Sequence, residues 1–325
     1  MHDEKILRVL RKSPDEHVSS EELCVLTKIS RSAVWKHVEA LRAEGYEIEA
    51  SPHLGYRLIA IPDALIPAEV MWELGTKTIG KAVLSYKKVD STNDVAYNLA
   101  ENGIAEGTVV LAEEQAKGKG RHGRKWVSPP KSGIYMSCVL RPEIAPNEIP
   151  VITLMAAVAV AKAVRKTTGL QAMIKWPNDI LVSGRKICGI LTEMKAEQDS
   201  VDFIILGIGL NVNASARSLP EGGTSVKEEL KAANNIKTVS RTEMAKSIIR
   251  SLEAEYSLLK KGGSERIIAE WKSMSAMPGS RIRVVLPNAE LEGVAHDIDP
   301  DGSLVLRLDS GILKKIWSGD VVMVR

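Results

Sequence analysis

The first sixty residues repeat apolar positions at helical spacing and then at strand spacing. Ile6, Leu7 and Leu10 share one face of a first helix, which Ser13-Pro14 ends. Ser19-Ser20 followed by Glu21-Glu22 predicts a capped second helix with Leu23 and Leu26 inward. Ser30 caps a third helix, with Val34, Val38 and Leu41 as its apolar stripe and Gly45 as its stop. Residues 46–50 and 55–59 then read as two strands joined by Ser51-Pro52-His53-Leu54. Three helices followed by a hairpin predict a winged helix-turn-helix over residues 1–62.

Residues 60–67 carry Pro62 and Pro67 without periodicity and read as a linker. From 67 to 272 short apolar strands mix with longer helices, the pattern of a central α/β domain. Strands are expected at 83–86, 108–112, 134–140, 174–182, 187–191 and 203–206. A helix is expected at 94–101, capped from Asp90, Ser91, Thr92 and Asn93. Another is expected at 241–259 on Met244, Ile248, Leu252 and Leu259. The apolar run 154–161 stops at Lys162, too short to span a bilayer, so it reads as a buried helix and no membrane partner is expected. From Gly279 the pattern alternates, with Ile282, Val284 and Leu286, then Leu304, Leu306 and Leu308, about the turn Asp299-Pro300-Asp301-Gly302. That predicts a small β-barrel over 276–325, making the chain an α+β multidomain protein.

Composition changes this picture little. At 325 residues the chain is long enough for two or three cores, and a net charge of +3 does not by itself imply a nucleic-acid partner. Cys24, Cys138 and Cys188 form no C-x-x-C pair, which excludes a disulfide framework and a zinc site and points to a reducing cytoplasm. The acidic start Met1-His2-Asp3-Glu4 is unlike a signal peptide.

Charge matters locally. Residues 1–60 hold nine Lys/Arg against ten Asp/Glu, but residues 28–42 hold Lys28, Arg31, Lys36 and Arg42 against Glu39 alone. The third helix would lie in a DNA major groove with Arg31, Ser32, Trp35, Lys36 and Arg42 outward. A small interaction module without a DNA role is the competing reading.

The densest cationic segment is the loop after the strand at 108–112. Residues 117–125 carry five Lys/Arg and one His, with Gly118, Gly120 and Gly123 between them. The spacing formally matches G-x-G-x-x-G, but Pro129 and Pro130 preclude the helix that this fingerprint requires, and the Walker A pattern also fails. A glycine-rich cationic loop able to turn backbone N–H groups toward a phosphate remains, with a solvated surface loop or an extra DNA contact as the plain alternatives. Farther on, two apolar strands meet at Ser183-Gly184 and place Lys186 at the start of the second. Residues 207–213 end another strand with glycines where a ligand could approach. Asn178 and Asp179 could be turn formers, and Lys186 a solvated charge.

Taken in order, Ser91-Thr92-Asn93, Gln115, the loop from Gly118 to Trp126, Lys175-Trp176-Pro177-Asn178-Asp179, Arg185-Lys186 with Ile187-Cys188-Gly189-Ile190-Leu191, and Gly207-Ile208-Gly209-Leu210-Asn211 resemble the successive motifs of biotin–protein ligases. With the N-terminal domain, the chain is similar over its whole length to the bifunctional biotin ligases and biotin operon repressors of bacteria. Lys119 departs from the pattern, which often has arginine there; the charge is kept and the bidentate contact is lost.

The resemblance implies an SH3-like C-terminal barrel that contributes to ATP or acceptor-protein binding, and ATP with magnesium as co-substrate. It implies a biotinyl-adenylate intermediate and transfer to a lysine of a biotin carboxyl carrier protein. It also implies operator DNA as a partner and a homodimer when the adenylate is bound. Ser91, Thr92 and Gln115 would meet the biotin head group, with Asn93, Gly118, Lys119 and Gly120 among the contacts and Asn211 near the nucleotide. Arg121 and Lys186 are the expected catalytic pair, Arg124 and Lys125 aid loop closure, and Asn178 and Asp179 are metal or acceptor-site candidates. The chemistry agrees, because adenylation builds charge on phosphate oxygens and calls for cations and magnesium rather than a nucleophilic side chain. Three rivals stand beside it: a regulator that senses a ligand without chemistry, a lipoate ligase, and a ligase whose N-terminal domain is idle.

Overall fold

The computed structural model describes residues 2–197, 200–233 and 239–324, so Met1 and Arg325, at the ends of the outer expected domains, lie outside the described residues. The chain divides into two compact units, Met1–Ala64 and Leu65–Arg325.

The first unit is α1 (His2–Lys12), α2 (Ser20–Thr27), α3 (Arg31–Ala43) and the antiparallel pair β1 (Glu47–Ser51) and β2 (Gly55–Ala60). Both expected caps form: Ser19 accepts a hydrogen bond from the Glu22 amide and Ser30 from the Ala33 amide. Each cap stabilises its helix by about 1 kcal/mol. Ile6, Leu7, Leu10, Val34, Val38 and Leu41 form the core with Leu23. Leu26, expected inward, is 49% exposed, and Thr27 is buried in its place. Four residues on from Leu23, Thr27 lies nearer the same stripe than Leu26 does, and its hydroxyl donates to the Leu23 carbonyl, so little is lost by burying it.

In the second unit the chain runs through α4 (Pro67–Met71), β3 (Val83–Tyr86), α5 (Thr92–Glu101), β4 (Val109–Ala112), β5 (Gly133–Leu140) and α6 (Ile149–Thr168). There follow β6 (Met173–Lys175), β7 (Asp179–Val182), β8 (Arg185–Glu197), β9 (Ser200–Asn211), α7 (Val226–Ala232), α8 (Arg241–Lys260) and α9 (Ser264–Ser273). The seven strands form one sheet in the order β3-β4-β5-β9-β8-β7-β6, in which only β3 and β4 are parallel.

The two-residue period of the strands sorts side chains to the two faces. On β5, Ile134, Met136, Cys138 and Leu140 join the large core that includes α6 and α8, as do Ile204, Leu206, Ile208 and Leu210 of β9. Val139, Phe203 and Ile205 pack instead with Ala96 and Ala100 of α5 on the opposite face. The apolar stretch 154–161 is buried inside α6, as expected. The linker is shorter than the sequence pattern implies, because β2 runs to Ala60 and Leu65 is already buried.

Residues 281–323 add β10 (Arg281–Leu286), β11 (Ala289–Ile298), β12 (Leu304–Arg307), β13 (Leu313–Ile316) and β14 (Asp320–Met323), an antiparallel sheet in the order β13-β12-β11-β10-β14. The expected barrel is therefore open, with no ladder joining β13 to β14 among the described residues. Its inner residues Ile282, Val284, Ala295, Leu304 and Leu306 share one core with Trp271 and Met274 at the end of α9. The change of pattern at 272–276 thus marks a change of architecture within one core.

Candidate active site

The site is built on the α5 face of the sheet. Because β5 alternates, Ser137 faces the first turn of α5, with its hydroxyl 2.8 Å from Thr92 Oγ1 and 2.6 Å from Asn93 Oδ1. The polar residues expected to cap α5 serve a different purpose: Ser91 makes no side-chain capping bond, and Thr92 and Asn93 turn inward and are buried. Gln115 Oε1 accepts from the Thr92 amide at 2.8 Å and from its hydroxyl at 3.1 Å, while Gln115 Nε2 donates to Ser128 Oγ at 2.9 Å. Asn93 Nδ2 donates to Glu193 at 2.6 Å. The result is a wall of amides and hydroxyls with fixed orientations, suited to a ligand that both donates and accepts.

Across from this wall stands the basic loop. Gly118 is held against the Trp126 carbonyl, where a Cβ would sit 2.4 Å from the oxygen. The Trp126 indole lies over the sheet: a Cβ on Gly209 would meet its Nε1 at 2.5 Å, and one on Gly207 would meet Asn93 Oδ1 at 2.2 Å. These strand-end glycines line the cavity, where a ligand is expected to approach, and the space that they leave is shared with the protein's own side chains. They make room for Trp126 and Asn93, which in turn face the cavity.

Lys119 is ion-paired with Asp94 and lies 3.6 Å from Glu193. Burial lowers its pKa, but the hydrogen bond to Asp94 and the two carboxylate charges outweigh that and raise it. Arg121 Nη1 donates to the Gly319 carbonyl at 3.1 Å and lies 3.8 Å from Asp320, which also pairs with Arg124. Burial holds the Arg121 guanidinium below its ordinary pKa despite the pull of Asp320 and Asp179. Lys186 Nζ is 2.6 Å from Asp179 Oδ1 and 5.4 Å from the centre of the Trp126 ring. Its backbone bonds to Gly222 and Thr224, so the segment that follows β9 lies strapped beside it. Lys175 is half-buried nearby; burial lowers its pKa, with Lys186 and Arg124 adding to the effect.

A cavity of about 150 Å³ gathers Ser91, Thr92, Asn93 and Gln115 at the polar wall, with Lys119, Gly120, Arg121, Asn178, Asp179 and Lys186 also lining it. A second cavity of about 430 Å³ shares Arg124, Lys125, Trp126, Asp179 and Lys186 with the first, and Asn211 lines this one. Of the residues expected from sequence, Gly118 alone lines neither and acts through Trp126. Two buried atoms of lining residues, Trp126 Nε1 and Asn211 Oδ1, have no hydrogen-bond partner among the described residues. Sequence reasoning missed Ser128, Ser137, Glu193 and Asp320. None belongs to a motif, and only strand register or a contact distant in sequence reveals them.

The metal candidates are less free than their residue types imply. Asn178 Nδ2 donates to the Ile190 carbonyl and Asp179 is paired with Lys186, and the described residues hold no group of three His, Cys, Asp or Glu side chains able to cage an ion. One carboxylate and the amide oxygen of Asn178 fit magnesium that arrives on phosphate oxygens and keeps much of its water.

In the first unit, α3 exposes Arg31, Ser32 and Lys36, and Trp35 is 54% exposed. Arg42 is corrected: its guanidinium donates to Glu39 and, through two nitrogens, to the Ile48 carbonyl, so it braces α3 against β1 instead of standing free on the outer face.

A glycine-rich cationic loop, a polar wall and a lysine on the adjoining strand thus meet at one cavity, suited to a ligand with both a hydrogen-bonding group and an anionic one. Residues 85–211 match the model of the biotin/lipoate A/B protein ligase family, residues 2–57 an HTH domain and residues 279–324 the biotin protein ligase C terminal domain. The chain is 38% identical over 316 residues to the bifunctional ligase/repressor BirA of Bacillus subtilis (strain 168), covering 97% of each chain. It is 29% identical over 314 residues to the BirA of Escherichia coli (strain K12), covering 95% of this chain and 94% of that one. Among solved structures it resembles the biotin protein ligase from Aquifex aeolicus in complex with biotin and ATP, at 27% identity and a TM-score of 0.63, over 75% of this chain and 99% of that one. The chain belongs to the biotin–protein ligase family, among its bifunctional ligase/repressors.

Proposed function

We propose that this protein joins biotin to ATP as biotinyl-adenylate, transfers the biotin to a lysine of a biotin carboxyl carrier protein, and represses biotin genes in response to biotin. The observation that carries this reading is the convergence of the polar wall and the cationic loop on one cavity beside Lys186. The wall supplies donors and acceptors for the biotin urea, chiefly Thr92, Asn93 and Gln115. Arg121 and Lys186 face the point where the biotin carboxylate meets the α-phosphate. Their charge is fixed in place by Gly319, Asp320 and Asp179 before reaction, so little reorganisation is needed as negative charge develops there. The second cavity, with Lys175, Arg124 and Lys125, receives the nucleotide and its leaving pyrophosphate. Asp179 and Asn178 would hold magnesium that arrives with the triphosphate, and the ion would supply neutralising charge there. Incubation with biotin, ATP and magnesium is expected to leave a bound adenylate visible by mass. Absence of that species, or its appearance only with lipoate, defeats this reading.

Arg121→Ala is expected to speed loss of the adenylate by order-of-magnitude steps, each about 1.4 kcal/mol. Dissociation rates equal to the parent's would remove Arg121 from the phosphate.

The regulatory half rests on the exposed cationic end of α3. A single such domain holds DNA weakly, whereas two on neighbouring half-sites gain from effective concentration, so the adenylate-bound form acts as a homodimer. The cytoplasm suits the three free cysteines and the operator. Adenylate is expected to tighten operator binding in anisotropy titrations at fixed salt. Removal of the first unit, leaving residues 65–325, is expected to abolish that binding and to preserve biotin transfer. Operator affinity indifferent to adenylate would break the coupling, and loss of transfer on truncation would show that the two units are not independent.

A further inference from the structure

The polar wall of the first cavity has a direction, and a residue that lines neither cavity sets it. Glu193 of β8 stands opposite Ile205 of β9, which packs on the α5 face, so the Glu193 side chain emerges on that face too. The Asn93 amide reaches it across β9. It lies over Gly207, where a Cβ would meet Oδ1 at 2.2 Å, with Ser137 of β5 on one side and Glu193 on the other. A carboxylate can only accept, so the 2.6 Å bond to Glu193 Oε2 turns Nδ2 toward β8 and Oδ1 toward Ser137. Oδ1 can only accept in its turn, and at 2.6 Å it takes the hydroxyl proton of Ser137. The Ser137 oxygen is left as an acceptor. Thr92 therefore shares its own proton between Ser137 Oγ at 2.8 Å and Gln115 Oε1 at 3.1 Å, both inside the wall. What Thr92 Oγ1 keeps for the cavity is a lone pair. Donors thus point one way, from the cavity through Thr92, Ser137 and Asn93 to a negative charge, and in such a chain each bond strengthens the one before it.

We propose that Glu193 is a positioning residue for biotin, whose charge orients this chain so that Thr92 Oγ1 meets the bicyclic ring as an acceptor matched to a urea N–H. This role rests on the ligase activity proposed above. The other carboxylate oxygen, Oε1, lies 3.6 Å from Lys119 Nζ, and that contact decides what loss of the charge does. In Glu193→Gln the Lys119 ammonium holds the amide oxygen on its own side, which turns the new NH2 toward Asn93. Asn93 must then flip to present Oδ1, and its Nδ2 faces Ser137. Ser137 accepts that bond and hands its proton to Thr92. The chain now runs backwards, and Thr92 Oγ1, already accepting from Ser137, is a weaker acceptor for the ligand. Side-chain size and the bonds within the wall are kept; only the polarity is reversed.

The test is pyrophosphate release by the full-length protein with biotin, ATP and magnesium, read as separate KM and kcat values. Glu193→Gln is expected to raise the KM for biotin by about five- to tenfold, the worth of one hydrogen bond. The kcat and the KM for ATP should stay within about twofold of the parent, because the bond is made to bound substrate and transition state alike. Ser137→Ala cuts the chain between Asn93 and Thr92 without touching the Lys119–Glu193 contact, and should raise the biotin KM severalfold by itself. Combined, the two substitutions should cost no more than the larger single one, since both act through the same chain. Effects that multiply would place the influence of Glu193 in Lys119 and the basic loop, and overturn the proposal. A parental biotin KM in Ser137→Ala overturns it too, whether or not Glu193→Gln folds. So does a fall in kcat and melting temperature at constant KM, which would make the role structural. A parent that releases no pyrophosphate with biotin would instead show that the ligase reading has failed, whereas an active parent with indifferent variants sinks this assignment alone.

Discussion

Arg241→Met is expected to be the most destabilising single change in the second unit. The Arg241 side chain is 1% exposed, and its guanidinium meets Glu113 at 2.5 Å and the Gly133 carbonyl at 3.4 Å. Glu113 stands just past the end of β4, and its other oxygen accepts from the Leu65 amide at 2.9 Å. The pair therefore ties the first residue of α8 to the exit of β4, the start of β5 and the point where the chain enters this unit. Removing Arg241 leaves the Glu113 carboxylate in low dielectric without its counter-charge, held by the Leu65 amide, at a cost of about 3–5 kcal/mol. For a unit of this size that is a fall in melting temperature on the order of 10 °C. Replacing both residues by apolar ones should cost less than Arg241→Met alone, because no buried charge is then stranded. Thermal melts of the two single variants and the double variant decide it. A single variant within about 1 kcal/mol of the parent would mean that water or another group already satisfies Glu113.

That pair was invisible in the sequence, and the reason is general to this chain. Residues whose role is local could be read directly: Ser19 and Ser30 cap helices a few residues on, and Val34, Val38 and Leu41 make a stripe on one helix. Residues whose role depends on two segments could not. Arg241 and Glu113 are 128 positions apart, Arg124 and Asp320 196 positions apart. Arg42 illustrates the same limit from the other side: its charge reads as part of a DNA-binding face, and only the closeness of the Ile48 carbonyl shows where its donors go.

The site was legible to the extent that its motifs are. Ser91, Thr92, Asn93, Gln115, Lys119, Gly120, Arg121, Asn178, Asp179 and Lys186 do meet around one cavity. The supporting layer was not legible, because Ser137 and Glu193 enter through strand register, and register is set by pairing rather than by the residue itself. The glycines were legible in part, since Gly207 and Gly209 do line the cavity. What the pattern does not show is that Asn93 and Trp126 of the protein's own chain also press against them.

Lys186→Ala is expected to abolish most adenylate formation while leaving the fold intact. The ammonium stands 36% exposed at the start of β8, beyond the Ser183-Gly184 turn, paired with Asp179 and facing Trp126. So exposed a pair contributes little to stability, at most about 1 kcal/mol, and the strand's pairing with β7 and β9 does not depend on the side chain. In the proposed reaction the same charge has no substitute: Arg121 approaches from the opposite loop, and Arg124 is already engaged with Asp320. Loss of one preorganised donor at a centre of developing charge costs about 10²–10³ in rate. Pyrophosphate release from biotin, ATP and magnesium should therefore fall by about that factor, with the melting temperature nearly unchanged. Lys186→Arg keeps the charge but is too broad for the gap beside Asp179, Gly189 and Trp126, where the existing amine already lies within 3.4 Å of the Cβ position of Gly189. It should restore only part of the rate. Full activity in Lys186→Ala would return this residue to the solvated surface, and a melting temperature lowered by as much as in Arg241→Met would make its role structural.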